Sequence, residues 1–281
     1  MTGKPATAIQ YDCAHTARVK SALLFIATRL GDMMDDIIVV GGLVPTLIIN
    51  QSNSMPGVEP HAGTMDLDLG LKLAVLESGR YREISARLRD AGFRPDRNER
   101  GHQTNHRWVL SGTPEISLDF LISPSCSSDV PGRLKNIESD FAAVVASGLE
   151  CAFHDRMSVN IRCHTIQHEA ASRNLWACGP GGFIVMKALA FEGRGENKDA
   201  YDLNYVLGNF GAGIDEVACH LRRLLDHHDA RKAISILERD FCRHDAPGPV
   251  RAALFLTGKA DEVVCAEVST NVRTLLALLK K

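Results

Sequence analysis

Two aspartates, Asp66 and Asp68, have the residue type and spacing that most directly indicate chemistry in this sequence. They lie two residues apart where acidic and apolar residues alternate, so on a β-strand both carboxylates point to the same face. Two carboxylates on one face repel each other, and a divalent cation that prefers hard oxygen ligands, such as Mg²⁺, removes that conflict. The pair therefore predicts a magnesium site. The alternative is a half-exposed strand whose outer face carries two acids.

The residues before this pair favour the metal interpretation. Residues 37–40 are an apolar, β-branched run typical of a buried strand, and Gly41 and Gly42 follow directly. Two glycines allow a sharp turn and the close approach of another backbone or of a phosphate. We therefore predict a strand, a glycine turn, a short helix over residues 43–49, a polar loop over residues 51–57, and then the strand that carries the acids.

A third acid, Asp119, is the one charged residue in the apolar segment 116–122, which we predict to be a strand beside another strand over residues 107–110. A carboxylate among apolar neighbours is expensive unless it is paired or bound to a metal. Asp119 is therefore the candidate third carboxylate of the site. The alternative is an acid on an edge strand that faces water.

A second polar group follows in the C-terminal half. Lys187 lies inside the apolar segment 183–191, where its side chain either reaches the surface or points into a site. Arg194 comes two helical turns later and can line the same face. Asp199 and Asp202 are three residues apart on the next predicted helix and share a face. Asp199 also suits a helix-start position, whereas Asp202 lies deeper in its helix.

Composition limits the class of protein. The chain has 281 residues with 45% hydrophobic content, and its formal net charge of −2 provides no global basic field for nucleic acid. No run approaches the roughly 20 apolar residues that span a membrane, and the N-terminus lacks a signal-peptide pattern. We therefore expect a cytoplasmic protein without a membrane partner. Eight cysteines, with spacing unlike a disulfide scaffold or a standard zinc finger, are expected to be reduced thiols.

An arginine-rich segment over residues 80–107 allows two interpretations. It contains eight arginines and four acids. A charged segment of this kind is either a solvated surface or the binding surface for an anionic partner such as nucleotide phosphate or RNA. Its arginines are Arg80, Arg82, Arg87, Arg89, Arg94, Arg97, Arg100 and Arg107.

Periodicity and turn residues predict the remaining elements. The run Gly179-Pro180-Gly181-Gly182 is expected to separate two domains, 1–180 and 181–281. Before it we predict helices over 14–30, 81–91 and 141–145, and strands that start at Phe93 and cover 159–166 and 175–178. After it we predict helices over 183–191, 199–207, 216–225, 230–241 and 268–279.

The ordered motifs resemble those of the AbiEii/AbiGii-type nucleotidyltransferase toxins of the polymerase-β-like superfamily. The motifs are Gly41-Gly42, Thr64-x-Asp66-x-Asp68, Asp119, Lys187-x-x-Ala190-x-x-x-Arg194 and Lys198-Asp199-x-x-Asp202-Leu203. The resemblance implies an α+β protein with a mixed-sheet nucleotidyltransferase core and a C-terminal helical domain. It further implies transfer of a nucleoside monophosphate from an NTP with Mg²⁺, a tRNA 3′ end as acceptor, and a cognate antitoxin. Family members commonly have a glycine-serine pair where this chain has Gly63-Thr64.

The resemblance and the residue chemistry together assign roles. Asp66 and Asp68 hold Mg²⁺, and Asp119 completes a two-metal arrangement or acts as a base. Asp202 either orients Lys187 or acts on the nucleotide. The residues expected to bind the nucleotide are Gly41, Gly42, Thr64, Lys187 and Arg194.

Two alternatives of different class stay open. The first is a non-catalytic nucleotide-binding regulatory module, although three acids around anionic phosphates argue against a pure binder. The second is a nucleotidyltransferase that acts on a small molecule or a protein. The arginine-rich segment favours RNA over a cationic small molecule, which would require an acidic pocket.

Overall fold

The computed structural model describes residues 5–49, 59–72, 78–97, 100–112 and 115–280. Within these ranges the chain forms nine strands and ten α-helices. The strands are β1 Ile37–Val40, β2 Asp66–Leu71, β3 Arg94–Arg97, β4 Gln103–Leu110, β5 Ile116–Ile122, β6 Leu134–Glu138, β7 Phe141–Val145, β8 Arg156–His164 and β9 Ala170–Cys178. The helices are α1 Cys13–Leu30, α2 Val44–Ile48, α3 Ser78–Asp90, α4 Leu149–His154, α5 Pro180–Arg194, α6 Asn197–Asn209, α7 Ile214–Arg222, α8 His228–Asp240, α9 Pro247–Thr257 and α10 Glu262–Leu279.

The strands form one mixed sheet in the order β3-β4-β5-β2-β1-β9-β8, with β7 beside β5 and β6 beside β7. Strand β2 is antiparallel to β1 and parallel to β5, and β9 is parallel to β1. The predicted combination of a mixed sheet and C-terminal helices is therefore confirmed. Within the described ranges no helix is both long and apolar enough to cross a membrane.

The central strand β1 is buried on both faces, which explains its continuous apolar sequence. Ile37 and Val39 belong to a hydrophobic cluster with α1 and α3, whereas Ile38 and Val40 belong to a cluster with the C-terminal helices. The strands end at Cys178 and the helical half begins at Pro180, close to the predicted domain boundary. Because the second cluster crosses that boundary, the helical half packs directly on the sheet.

The prediction of a helix over residues 141–145 was wrong, because this segment is strand β7. It pairs in parallel with β5 and antiparallel with β6, and four of its five residues are buried. Short apolar runs fit a helix or a strand equally well, and here the β-branched Val144 and Val145 and the partner β5 favour the strand. The polar loop predicted over residues 51–57 lies outside the described residues.

Candidate active site

Three acids meet at one cavity because of the register of two strands. Asp68 lies opposite Asp119 in the parallel pair β2–β5, and Asp66 lies opposite Ser117. Leu67 and the other apolar residues of β2 alternate with the acids and are buried, so both carboxylates of β2 project to the opposite face. All three acids line a cavity of about 530 Å³.

Asp119 shares this cavity but is held by an arginine. The Arg107 Nε and Nη2 atoms donate to the two Asp119 carboxylate oxygens at 2.8 and 2.5 Å. The two residues are direct neighbours across the antiparallel pair β4–β5. Hydrogen bonding to Asp119 raises the pKa of Arg107, so the Arg107 guanidinium remains charged at any physiological pH. Asp119, predicted as a metal ligand, is thus paired with Arg107 in this structure.

The donor set determines which metal the site suits. In the part of the chain that the structure describes, no three His, Cys, Asp or Glu side chains are grouped so as to hold a metal ion, and this includes the cysteines and histidines of residues 151–178. Asp66 and Asp68 remain as two hard carboxylates at the cavity. Mg²⁺ is commonly bound by one or two carboxylates together with substrate phosphates, so this pair fits Mg²⁺ that arrives with a nucleotide.

The glycine turn lies directly against the acids. Gly41 has a φ of +71°, and a Cβ atom there would lie 1.9 Å from the Asp68 Oδ2 atom. A Cβ atom on Gly42 would lie 2.8 Å from the Thr64 Oγ1 atom. The Thr64 hydroxyl donates to the Asp66 carbonyl oxygen at 3.1 Å. Gly41, Gly42 and Thr64 therefore line the cavity at positions where a larger residue would displace the side chains around Asp66 and Asp68.

The opposite wall of the cavity carries a buried cluster of charges from α5 and α6. The Lys187 Nζ atom donates to Asp199 at 2.9 Å and to Asp202 at 2.6 Å. Arg194 holds Asp199 bidentately at 2.7 and 2.8 Å, and Lys198 donates to Asp202 at 2.6 Å. Lys187 is 6% exposed and Asp202 is 0% exposed. The lysine therefore points into the protein and does not reach the surface.

Mutual pairing keeps this cluster ionised. Burial alone would neutralise Lys187, but the charges of Asp199 and Asp202 outweigh burial and raise its pKa. Burial would likewise raise the pKa of Asp202, but Lys187 and Lys198 hold it far below its usual range. Burial lowers the pKa of Lys198 itself. Asp199 lies in the first turn of α6, as predicted, and there it is buried and ion-paired with Lys187.

A histidine that sequence reasoning did not identify completes the cluster. The Gly63 N–H donates to the His61 Nδ1 atom at 3.0 Å, so Nδ1 is the unprotonated nitrogen. The His61 Nε2–H group then donates to the Asp202 Oδ1 atom at 2.9 Å. Burial lowers the pKa of His61 to about 4, and protonation of Nδ1 would also break its hydrogen bond with Gly63. His61 is therefore neutral at pH 7 and fixes the orientation of Asp202.

The sequence assigned no role to Lys198 or to His61, and the reasons differ. Lys198 and Asp202 are four residues apart on one helix, a spacing that could have indicated their ion pair. His61 lies in a segment without periodicity and meets Asp202 across 141 residues of sequence. No local pattern predicts such a contact.

The arginine-rich segment is largely neutralised by neighbouring acids. Arg82 pairs with Glu138, and Arg89 pairs with Asp140. At least six of its eight arginines have an acidic partner, namely Arg80, Arg82, Arg87, Arg89, Arg94 and Arg107. This pairing favours the interpretation of the segment as an ion-paired surface over that of a binding surface for a polyanion.

A second cavity of about 400 Å³ adjoins the first and shares Asp68, Lys187 and Arg194 with it. Its wall is more apolar and includes Phe183 and Met186 of α5. Asp68 therefore stands between two adjoining spaces, one strongly charged and one mainly apolar.

Comparison with models of known protein families finds no match to this sequence. A search of curated proteins likewise finds no similar sequence. Functional assignment therefore depends on the site itself.

Proposed function

We propose that this protein is a Mg²⁺-dependent nucleotidyltransferase of the toxin type. It transfers a nucleoside monophosphate from an NTP to an acceptor hydroxyl, with a tRNA 3′ end as the preferred acceptor and a cognate antitoxin as its regulator. One observation carries the proposal. Asp66 and Asp68 face a cavity whose opposite wall carries Lys187, Arg194 and Lys198, so an acidic wall and a cationic wall enclose one space.

This arrangement is complementary to a metal–triphosphate. Asp66 and Asp68 would hold Mg²⁺, which neutralises phosphate charge and stabilises pyrophosphate as it leaves. Arg194 is held in place by Asp199, yet 55% of its side chain is exposed and able to meet a phosphate. The Lys198 Nζ atom lies 3.5 Å from the position of a Cβ on Gly42, so its charge is beside the glycine turn. Lys187 and Asp202 are buried and act by positioning these groups.

The chemical step requires an acceptor hydroxyl and a route for its proton. The hydroxyl oxygen forms a bond to the α-phosphorus while the bond from that phosphorus to the pyrophosphate oxygen breaks. The hydroxyl proton passes to Asp119 once Arg107 releases it. An acceptor phosphate competes for the Arg107 guanidinium, because arginine binds phosphate and carboxylate with the same bidentate geometry. In this scheme Arg107 couples acceptor binding to the release of Asp119.

The bidentate Arg107–Asp119 pair also supports a second candidate function. If Arg107 never releases Asp119, the site lacks its third acid and the protein is a nucleotide-binding module without transfer activity. Both functions require nucleotide binding, but only the nucleotidyltransferase would transfer a nucleoside monophosphate to an acceptor.

A transfer assay separates the two functions. Each of the four NTPs, labelled at the α-phosphate, is incubated with the protein, Mg²⁺ and total tRNA, and labelled tRNA is resolved on a denaturing gel. We expect label in tRNA with the wild type and none with Asp66→Asn or Asp68→Asn. Nucleotide binding without label in tRNA would favour the binding module, and label in a small molecule or protein would change the acceptor class. Equal transfer by wild type and Asp68→Asn would reject the assigned role of these acids.

A further inference from the structure

The hairpin formed by β8 and β9 lies at the opposite edge of the sheet from the arginine-rich segment. Its two strands contain three arginines, Arg156, Arg162 and Arg173, and no aspartate or glutamate. All three arginines are exposed. Arg156 and Arg162 share one face of the hairpin, whereas Arg173 pairs with Ile161 and lies on the other face, and the connecting loop carries one acid, Glu169. The first face is therefore locally basic on a chain whose net charge is slightly negative.

Unlike most arginines of residues 80–107, these three are not neutralised. Among the described residues, no carboxylate lies within ion-pair distance of Arg156, Arg162 or Arg173. Arg156 instead lies over the Trp176 ring, with 4.1 Å between the guanidinium carbon and the ring centroid. Arginines without acidic partners retain their full attraction for a polyanion.

One face of the hairpin presents a continuous polar surface, which we call the hairpin face. It consists of Arg156, Ser158, Asn160, Arg162 and His164 on β8 and of Ser172, Asn174 and Trp176 opposite them on β9. The Asn160 side chain donates to the Asn174 side chain at 2.7 Å, and the Ser172 hydroxyl donates to Asn160 at 3.3 Å. The surface thus combines cations, amides, a hydroxyl and one part-buried aromatic ring.

This composition suits nucleic acid better than a protein. The exposed large hydrophobic residues of the described chain are Ile9, Val130, Leu134, Leu256 and Val263, and none of them lies on the hairpin. A stable protein interface requires an apolar core, which the hairpin face does not provide. Phosphate contacts from arginine are the usual means of holding a nucleic-acid backbone without base specificity, and the Trp176 ring beneath Arg156 helps to position that guanidinium.

The register places this face relative to the acids. Val39 pairs with Ala177 and Val40 pairs with Asp68, so Cys178, the partner of Arg156, is level with Asp68. Arg156 and Asp68 are therefore on the same face of the sheet, three strands or about 14 Å apart. Arg162 lies six residues farther along β8, roughly 20 Å beyond Arg156. A mononucleotide is too short to contact both the acids and Arg162.

We propose that the hairpin face binds the phosphate backbone of an RNA acceptor whose 3′ end enters the cavity at Asp66 and Asp68. This inference rests on the proposed function for the identity of the acceptor, whereas the binding itself requires no chemistry. It moves acceptor recognition from the arginine-rich segment to the other edge of the sheet.

Equilibrium binding tests the proposal without any transfer step. A fluorescein-labelled oligouridylate is titrated with the protein in the absence of NTP, and anisotropy is recorded from about 50 to about 200 mM salt. The test variant is R156Q/R162Q, and the matched control is R82Q/R94Q, which removes two exposed but ion-paired arginines. Thermal unfolding of both variants checks that each remains folded.

Two lost phosphate contacts on a single strand make the log–log salt slope shallower by about 1.4. The fourfold salt increase should therefore weaken binding by about sevenfold less in R156Q/R162Q than in the wild type. The control should keep the wild-type slope. Absence of RNA binding by the wild type, an unchanged slope in the test variant, or equal loss in the control would overturn the proposal. Equally tight binding of polyglutamate would show a general polyanion surface and would also overturn the assignment to RNA.

Failure of the proposed function gives a different result. In that case no acceptor becomes labelled, while RNA binding still depends on Arg156 and Arg162. If the wild type labels tRNA and the hairpin variant binds RNA with the wild-type slope, the proposed function stands and the hairpin assignment falls.

Discussion

The two walls of the cavity carry similar numbers of charges but hold them in different ways. On the strand wall, Asp66 and Asp68 are partly exposed and project from a rigid sheet toward the open space. On the helix wall, Lys187 and Asp202 are buried and saturate each other. In the proposed function, Asp66 and Asp68 of the strand wall would hold the metal, and Arg194 and Lys198 of the helix wall would meet the phosphates. The buried Lys187 and Asp202 would maintain the geometry of these groups. Substitutions of the buried Lys187 and Asp202 should therefore affect stability most, and substitutions of Asp66 and Asp68 should affect activity most.

The largest stability effect is expected on the helix wall from Asp202→Asn. This change leaves Lys187 and Lys198 with less compensating charge in a buried position, which typically lowers the free energy of unfolding by about 3–5 kcal/mol. Urea unfolding at pH 7 measures the change. Asp245→Asn, which removes an exposed partner of Arg243, is the control and should leave unfolding unaltered. A value for Asp202→Asn close to that of the control would show that the cluster does not stabilise the fold.

The next effect concerns pH and His61. Its folded-state pKa of about 4 is below the ordinary value of 6.5, so between these values the unfolded chain binds the extra proton. The contribution of His61 to stability is therefore fully present above pH 6.5 and is lost as the pH decreases toward 4, by roughly 3 kcal/mol in total. Asp202 remains ionised throughout this window, because Lys187 and Lys198 hold its pKa low. Urea unfolding at successive pH values should show this slope in the wild type and a flatter one in His61→Gln. Identical slopes would contradict the buried, neutral state of His61.

A smaller loss of stability is expected on the strand wall from Gly41→Ala. An alanine at a φ of +71° costs about 1–2 kcal/mol, and its Cβ displaces the Asp68 carboxylate. We therefore expect a modest loss of stability with a fall in transfer on the order of a hundredfold. Gly258→Ala is the matched control, because Gly258 has a φ of +76° and open space around its Cβ position. Equal transfer by the two variants would separate Gly41 from the site.

The smallest effect should come from Arg82→Gln in the arginine-rich segment. The pair between Arg82 and Glu138 is exposed on the arginine side, and such pairs typically contribute less than about 1 kcal/mol. Urea unfolding of this variant sets the reference for a solvent-screened ion pair. A loss as large as that of Asp202→Asn would remove the distinction between buried and surface charge on which the comparison rests.

The local sequence was sufficient to predict a helix, a strand or a shared face where the residues that determine it lie close together in the chain. The alternation around Leu67 and Leu69 placed Asp66 and Asp68 on one face, and the apolar run of β5 predicted both of its ends. The helical period likewise predicted most of the C-terminal helices, although α9 was not predicted. In these segments burial follows directly from the order of residues.

Contacts that depend on strand register or on distant segments could not be predicted from the local sequence. Arg107 meets Asp119 only because β4 and β5 pair in one particular register. His61 reaches Asp202 only after the helices pack on the sheet. Residues 141–145 form strand β7 because they pair with β5. In each case the deciding partner lies elsewhere in the chain, so local periodicity carries no signal for it.

Calorimetric titration with a non-hydrolysable NTP analogue tests the division between the two walls most directly. The analogue is titrated into the wild type and into Asp66→Asn/Asp68→Asn, in Mg²⁺ and again in EDTA. We expect the wild type to bind much more tightly in Mg²⁺ than in EDTA, and the double variant to lose that difference while its unfolding free energy stays near the wild-type value. Equal affinity of the wild type in Mg²⁺ and EDTA, or an unchanged Mg²⁺ dependence in the double variant, would contradict the proposal that Asp66 and Asp68 bind a metal–nucleotide.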